Sequence, residues 1–99
     1  MRVFTEKTLT DYGLTNPRVR EELKVWAAII QNAQWANFNE LKADMPATDY
    51  IGNDHFVFNV KGNHYRLIAT IRFAKQRVYV RGIFTHTEYT KNQKKLKDL

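Results

Sequence analysis

The chain has no cysteine, only two prolines and four glycines, and clearly fewer acidic than basic side chains. The absence of cysteine excludes disulfides and thiolate chemistry and predicts a protein of the reducing cytoplasm. No apolar run approaches the length that crosses a membrane, so no membrane-spanning segment is expected. The three histidines, His55, His64 and His86, are too scattered to suggest a zinc site. We therefore expect neither a metal nor another cofactor.

Hydrophobic and basic residues are what the chain has in quantity. Hydrophobic residues make up 43% and aromatic residues 13% of the 99 positions, which is enough for one core, so a single domain over residues 1–99 is predicted. Sixteen Lys and Arg against ten Asp and Glu give a formal net charge of +6. This charge favours a polyanionic partner, whether nucleic acid, an acidic protein or an anionic membrane surface. Part of it lies in a basic C-terminal tail: Lys91, Lys94, Lys95 and Lys97.

The N-terminal half has the patterns of helices. Residues 6–12 predict a short helix that ends at Gly13. Asn16 followed by Pro17 is a typical helix start. Residues 38–43 predict one more short helix, with Asn37 as its cap. The main helix should bury a stripe of apolar side chains at helical spacing: Val19, Leu23, Trp26, Ala27, Ile30 and Ala33.

The C-terminal half has the patterns of a sheet. Strands are expected at residues 2–5, 48–51, 56–60, 64–73 and 78–84, the last three from their period-2 alternation. Gly62-Asn63 predicts a two-residue hairpin loop, because both residues tolerate positive φ. Thr85 and Glu88 have the spacing of a capping box that starts a last helix. The fold class is therefore α+β: N-terminal helices on one face of a mostly antiparallel sheet of three to five strands, with a short C-terminal helix.

The Gly62-Asn63 loop fixes which residues of the first hairpin share a face. It pairs Lys61 with His64 and Asn59 with Arg66, and side chains two apart along a strand lie on the same side. The opposite face is apolar and must cover the helices. The first hairpin thus predicts one polar face with cations at one end.

The second hairpin determines what joins this polar face. Pairing of Phe73 with Val78 places Thr85 opposite Arg66. Arg81 then lies on the same face, roughly 13 Å further along at about 3.3 Å per residue, within reach of a neighbouring phosphate. One extra residue in the loop near Lys75 would turn Arg81 to the opposite face.

The capping box brings further groups to Arg66. His86 and Tyr89 are three residues apart and project from one side of the last helix. Arg66 suits a phosphate through its forked donors, His86 transfers protons near neutrality, and Tyr89 suits stacking on a base. The expected pocket holds six residues: Asn59, Lys61, His64, Arg66, His86 and Tyr89. By contrast, Arg72 and Arg77 are expected to be solvated, and His55 to be structural.

These residues are compatible with more than one function. Metal-free RNA cleavage needs a base for the 2′-hydroxyl, cations for the phosphate and an acid for the departing oxygen, and the pocket offers these types of group. A non-catalytic RNA- or DNA-binding module would use the same cations only to hold phosphates. A third interpretation is a small-molecule domain whose basic pocket takes an anionic ligand.

The chain resembles the HigB-type toxins, which belong to the RelE-like group of type II toxin–antitoxin modules. The resemblance covers residues 50–90 most strongly. It is carried by residues 54–60 (DHFVFNV), Gly62-Asn63, Arg66, residues 79–81 (YVR) and residues 85–89 (THTEY). Several separated residues and turns match in order, which makes the resemblance specific.

The resemblance implies a RelE-like toxin that cleaves mRNA in the ribosomal A site without a metal. The implied partners are mRNA, the ribosome and a cognate HigA-type helix-turn-helix antitoxin, with no membrane involved. Strand arginines and a C-terminal tyrosine or histidine form the site in RelE-like toxins. The catalytic residues are accordingly expected to be Arg66, His86 and Tyr89. The expected RNA-binding residues are Asn59, Lys61, His64 and Arg81.

Overall fold

In the computed structural model, which describes residues 1–96 and 98–99, the segments with helical patterns form helices and those with alternating patterns form the strands of a sheet. Lys97, one of the tail lysines, lies outside the described residues. The helices are α1 (Glu6–Thr15), α2 (Arg20–Asn32), α3 (Phe38–Asp44) and α4 (His86–Leu96), with 3₁₀ turns at Pro17–Val19 and Phe73–Lys75. The strands are β1 (Arg2–Phe4), β2 (Asp49–Gly52), β3 (His55–Val60), β4 (Tyr65–Arg72) and β5 (Arg77–Thr85).

All five strands form one sheet in the order β1-β5-β4-β3-β2. β1 runs parallel to β5, and the other neighbours are antiparallel. The α+β class and the mostly antiparallel sheet predicted from the sequence are confirmed. No helix in the described part of the chain is both long and apolar enough to cross a membrane.

The predicted stripe on α2 packs on the predicted apolar face of the sheet. Leu23, Trp26 and Ile30 are buried in one cluster with apolar side chains of β3 and β4. The Trp26 ring meets the edge of Phe58 at a centroid distance of 5.3 Å. Each such buried side chain contributes about 1.5–3 kcal/mol relative to its exposed state. This helix-on-sheet core leaves the opposite face of the sheet free to carry polar groups.

The start of the helical half differs from its prediction. α1 continues through Gly13 to Thr15, and Asn16 closes it by donating its N–H to the Tyr12 carbonyl at 2.9 Å. A Cβ at Gly13 would lie 3.2 Å from Cγ of Arg20. The glycine therefore allows close approach of α1 and α2 rather than ending a helix.

The first hairpin has the predicted register with a different loop. Asn59 pairs with Arg66, as expected. Ladder pairing nevertheless stops at Val60 and Tyr65, so the loop has four residues, and positive φ occurs at Lys61 (53°) and Gly62 (63°) rather than at Gly62 and Asn63. A four-residue loop centred on the same bond keeps the same pairing, which is why the register is right although the loop is not.

The register predicted for the second hairpin was wrong. Arg77 pairs with Arg72, where the sequence suggested that Val78 pairs with Phe73. Further along, a bulge places Arg81 outside the ladder pairing of β4 and β5. Past the bulge the two faces of β5 exchange. Thr85 consequently lies opposite Tyr65 rather than Arg66.

The outer face of the sheet is only partly polar. α4 packs across it and buries a second apolar cluster formed by Val57, Ile68 and Leu96. Phe84 joins this cluster because of the bulge, while Ile83 lies in the main core. The outer face is therefore apolar where α4 covers it.

Candidate active site

The capping box predicted at the end of β5 fixes the start of α4. Thr85 donates its N–H to Oε1 of Glu88 at 2.8 Å, and the Glu88 N–H returns a bond to Oγ1 of Thr85 at 3.2 Å. The N–H of His86 donates to the His64 carbonyl at 2.9 Å. α4 therefore begins against the first hairpin loop, with His86 beside the start of β4.

Arg66 and His86 are in direct contact. Nη2 of Arg66 lies 3.1 Å from Nδ1 of His86, and Nη1 donates to the carbonyls of Asn63 and Tyr65 at 3.1 and 3.2 Å. A guanidinium group only donates, so Nδ1 must accept. The ring in this contact is the neutral tautomer with its proton on Nε2.

Tyr89 joins Arg66 and His86 in one cluster. Its ring centroid lies 5.8 Å from Cζ of Arg66, within the range of a cation–π contact. Tyr89 is half-buried and packs on the second apolar cluster, which holds its ring beside the guanidinium. The three residues predicted to be catalytic are therefore neighbours, and we call Arg66, His86 and Tyr89 the Arg66 cluster.

A surface pocket of about 830 Å³ lies beside this cluster, large enough for a nucleotide. Its lining residues are Arg18, Lys61, Asn63, His64, Tyr65, Thr85, His86 and Thr87. Arg18, Lys61, His64 and His86 are exposed. The lining contains no Asp or Glu, so the pocket suits an anion.

Arg18 is a pocket residue that the sequence patterns did not predict. It lies in the Pro17–Val19 turn, and its carbonyl accepts a bond from Nζ of Lys61 at 2.7 Å. The same Nζ is 4.0 Å from Oε1 of Glu22. Lys61 is thus tied to the start of α2. The only sequence signal near Arg18 was the Asn16-Pro17 helix start, which says nothing about the hairpin that it meets.

Two other predicted site residues lie apart from the pocket. Asn59 is the ladder partner of Arg66, as predicted, but it lines depressions between β3 and α2. Arg81 donates from Nε to Oγ1 of Thr70 at 2.9 Å, and its Cζ lies 5.5 Å from the Tyr79 ring centroid. The structure therefore does not gather all seven predicted residues at one point.

The residues expected to be non-catalytic have their own partners. His55 is buried, with its ring nitrogens 2.8 Å from the Asn53 carbonyl and 2.7 Å from the Leu99 carbonyl, so its role is structural, as expected. Arg72 forms an ion pair with Asp54. No group of three or more His, Asp or Glu that would suit a metal ion occurs among residues 1–96 and 98–99.

Tyr12 connects α1 to β4 next to the site. Its ring meets that of Tyr65 edge-on at 6.3 Å. Burial raises the pKa of the Tyr12 hydroxyl above its usual value, and the nearby Glu88 carboxylate and Tyr65 add to this effect. Both causes disfavour the phenolate, so Tyr12 stays neutral as it packs between helix and sheet.

Comparison with known proteins agrees with this geometry. The family model described as HigB toxin, RelE-like toxic component of a toxin–antitoxin system, matches residues 19–92, which contain the Arg66 cluster. The mRNA interferase toxin HigB of Escherichia coli K12 and the mRNA interferase HigB of Shigella flexneri are each 35% identical over 92 residues, 90% of this chain and 88% of theirs. The mRNA interferase HigB of E. coli O6:H1 is 32% identical over 65 residues, 64% of this chain and 63% of its own. The chain therefore belongs to the HigB toxin family, the RelE-like toxic components of toxin–antitoxin systems.

Proposed function

We propose that this protein is a cytoplasmic mRNA endoribonuclease that acts on the ribosome and so inhibits translation. The observation that carries the proposal is the Arg66 cluster, in which a phosphate-binding cation contacts a histidine able to transfer protons. The relatives named mRNA interferases support the choice of mRNA as substrate. The formal charge of +6 and the acid-free pocket support a polyanionic substrate.

The proposed chemistry uses the RNA itself as the nucleophile and needs no metal. The 2′-hydroxyl attacks the adjacent phosphorus and the bond from phosphorus to the 5′-oxygen breaks. The products are a 2′,3′-cyclic phosphate and a 5′-hydroxyl. The 2′-hydroxyl loses one proton, and the departing 5′-oxygen gains one from His86 or from water. The protein must therefore supply a proton acceptor and positive charge near the phosphate.

Arg66 and His86 fill these roles in the proposal. In the free protein the neutral His86 ring already offers Nδ1 as an acceptor, and Arg66 occupies it at 3.1 Å. An incoming phosphate competes for the guanidinium, because a charged acceptor is preferred to a neutral one. When Arg66 turns to the phosphate, the Nδ1 lone pair becomes free to take the 2′-hydroxyl proton.

The other pocket residues hold the RNA around this point. Lys61 and His64 line the same pocket as His86, and Arg18 adds a cation that the sequence did not predict. Asn59 lies apart from this pocket but pairs with Arg66 in the ladder, and its amide can donate to or accept from a base. Tyr89 keeps the guanidinium in place and offers a ring edge for a base.

The openness of the site supports the proposed dependence on the ribosome. His86, His64 and Lys61 are exposed, and the pocket is a depression in the surface of the described part of the chain. Such a site positions a free, flexible RNA poorly. An mRNA already held in the A site supplies the missing positioning, which is worth several kcal/mol in favourable cases, up to about 7–11.

A toxic component of a toxin–antitoxin system has an antitoxin as its partner. We propose a HigA-type helix-turn-helix protein, as in the modules that the sequence resembles. A partner that covers the basic pocket would present acidic groups to it. Co-purification with the product of the adjacent gene tests this assignment, and failure to associate at low salt would contradict it.

Induction of the chain in a host without the antitoxin tests the function. We expect growth to stop together with amino-acid incorporation, and the His86→Ala variant to permit both. Lys24→Ala, which removes an exposed cation on α2, serves as the charge-matched control and should remain toxic. Normal incorporation at confirmed expression of the folded wild-type chain would contradict the proposal.

A further inference from the structure

Three arginines lie side by side at the end of the sheet far from the Arg66 cluster. The register places Arg2 of β1 beside Arg77 of β5, and Arg77 beside Arg72 of β4. Like charges on directly neighbouring strands destabilise a sheet. Arg72 is neutralised by Asp54. Arg2 and Arg77 form no ion pair within the described part of the chain.

Two aromatic rings hold the unpaired arginines in place. Phe4 and Tyr79 stack with a centroid distance of 5.0 Å and an interplanar angle of 17°. Cζ of Arg2 lies 4.8 Å and Cζ of Arg77 5.8 Å from the Phe4 centroid, and Arg81 lies over Tyr79 at 5.5 Å. We call these five residues the arginine strip. Arg81 too has no ion pair among residues 1–96 and 98–99.

The arrangement suits phosphate groups in a row. Arg2, Arg77 and Arg81 are exposed, so their guanidinium groups are open to a ligand. Their contacts with the rings restrict the side chains beforehand, which lowers the entropy cost of binding. Planar forked donors match phosphate oxygens. A row of unneutralised cations that costs stability in the free protein is the kind of local conflict expected at a functional surface.

The position of the strip relates it to the Arg66 cluster. Both lie on the outer face of the sheet. Arg81 is bonded to Thr70, which is four residues from Arg66 on β4, or roughly 13 Å at 3.3 Å per residue. Arg77 pairs with Arg72, two residues beyond Thr70 on β4, and so lies roughly 7 Å further along by the same measure. These separations correspond to different phosphates of one chain rather than to a single phosphate.

We propose that the arginine strip binds the phosphodiester backbone of the same single-stranded RNA whose scissile phosphate lies at the Arg66 cluster. The inference rests on the proposed function and extends it to a second, non-catalytic contact several nucleotides from the cut. It assigns a role to Arg2 and Arg77, and it places Arg81 in this strip rather than in the pocket. α4, which packs on the same face, adds exposed cations at Lys91, Lys94 and Lys95.

Binding of single-stranded RNA to a protein that cannot cleave it tests the inference. The full chain with His86→Ala is titrated with labelled RNAs of about four and about twelve nucleotides, the range bound by small single-strand sites. Adding Arg2→Ala and Arg77→Ala should weaken binding of the long RNA about tenfold. The slope of its affinity against salt concentration, both on logarithmic scales, should become shallower by about 0.7 for each phosphate that the variant no longer binds. The short RNA should be unaffected.

Controls keep the outcome interpretable. Lys24→Ala in the same background removes a cation from the opposite layer and should change neither affinity. Thermal melting should show the double variant at least as stable as its parent, because it relieves like-charge repulsion. Arg81→Gln, which leaves β1 untouched, should weaken long-RNA binding by itself.

The inference is overturned if the double variant binds the long RNA as tightly as its parent, or if both RNAs lose affinity equally. It is also overturned if the double variant binds less tightly only to ribosomes without mRNA, because the strip would then contact ribosomal RNA. These binding results do not depend on cleavage. A wild-type chain that fails to cut mRNA would remove the proposed function while leaving the test of the strip intact.

Discussion

At the scale of single residues, Arg66 connects every part of the site. Its guanidinium bonds to two carbonyls of the hairpin, to Nδ1 of His86, and lies over the ring of Tyr89. A planar fork with several donors can make these contacts together, whereas a lysine ammonium on a flexible stem cannot reproduce them. Arg66 is thus both the phosphate ligand of the proposal and the group that sets the His86 tautomer.

We predict that Arg66→Ala and Arg66→Lys both reduce cleavage on ribosomes on the order of a hundredfold or more. The charge that lysine retains should not rescue the activity, since the fork is absent. Nitrogen-15 NMR provides a second readout: wild-type His86 should be the neutral ring with its proton on Nε2. Arg66→Ala should give a mixture of tautomers. Unchanged cleavage by a folded Arg66→Ala chain would contradict the assigned role.

Tyr89 should act through its ring. Tyr89→Phe keeps the contact with the Arg66 guanidinium and the packing on the second apolar cluster, so we expect cleavage to remain within severalfold of wild type. Tyr89→Ala removes the ring altogether and should lower both the activity and the melting temperature. If the two variants were equally inactive while Tyr89→Phe kept wild-type stability, the hydroxyl rather than the ring would be the working group.

At the scale of elements, removing one of two similar helix caps allows an effect on stability to be distinguished from an effect on function. Asn37 caps α3 by accepting from the Glu40 N–H at 3.0 Å, and Thr85 caps α4. Thr85→Ala and Asn37→Ala should each cost about 1 kcal/mol in urea unfolding. Only Thr85→Ala should also lower the cleavage rate, because His86 follows directly. Equal activity of the two variants would show that the α4 cap does not position His86.

Elements whose patterns involve residues close in the chain were predictable from the sequence. How two elements pack on each other was less predictable. The α2 stripe, the Asn37 cap and the Thr85–Glu88 capping box depend on residues close in the chain, and each is confirmed. The bulge at Arg81 depends instead on what lies above the sheet. A Cβ at Gly82 would lie 2.8 Å from the Phe84 ring, so this glycine lets the ring cover the strand. No pattern among the neighbouring residues of the sequence predicts this arrangement.

The parts of the candidate site that depend on residues close in the sequence were predictable, and the parts that depend on the packing of elements were not. The register of the first hairpin and the capping box bring Arg66 and His86 together, and both were predicted from the sequence. The second register was wrong, yet Arg81 still reaches Thr70, because a shift of two residues preserves the face of the strand. Arg18 was not predictable, since its place beside Lys61 is set by how the helical layer lies on the sheet.

At the scale of the whole molecule, Tyr12 links the helical layer to the site. The contact with Tyr65 and the nearby Glu88 join α1, β4 and α4. The raised pKa means that the folded state holds the phenol proton more tightly than the unfolded chain does. The stabilisation linked to this group is therefore complete below about pH 10 and is lost as the pH rises through the folded value.

We accordingly predict that Tyr12→Phe makes stability less sensitive to alkali. Melting temperatures of wild type and variant should fall together up to about pH 9, and the wild type should fall further above about pH 10, where the unfolded chain ionises first. Absorbance titration of the phenolate should show one late-ionising tyrosine, which the variant lacks. Parallel melting curves over the whole range would indicate that the hydroxyl has the same pKa in both states.

The central claim is that the Arg66 cluster cleaves mRNA through its 2′-hydroxyl, and the ends of the cut RNA test it most directly. A reporter mRNA is incubated with purified protein, with and without translating ribosomes, and the fragment ends are mapped. We predict cuts only with ribosomes, each leaving a 2′,3′-cyclic phosphate and a 5′-hydroxyl, and none with His86→Ala. Cuts that leave a 3′-hydroxyl and a 5′-phosphate, or full cleavage by His86→Ala, would contradict the account.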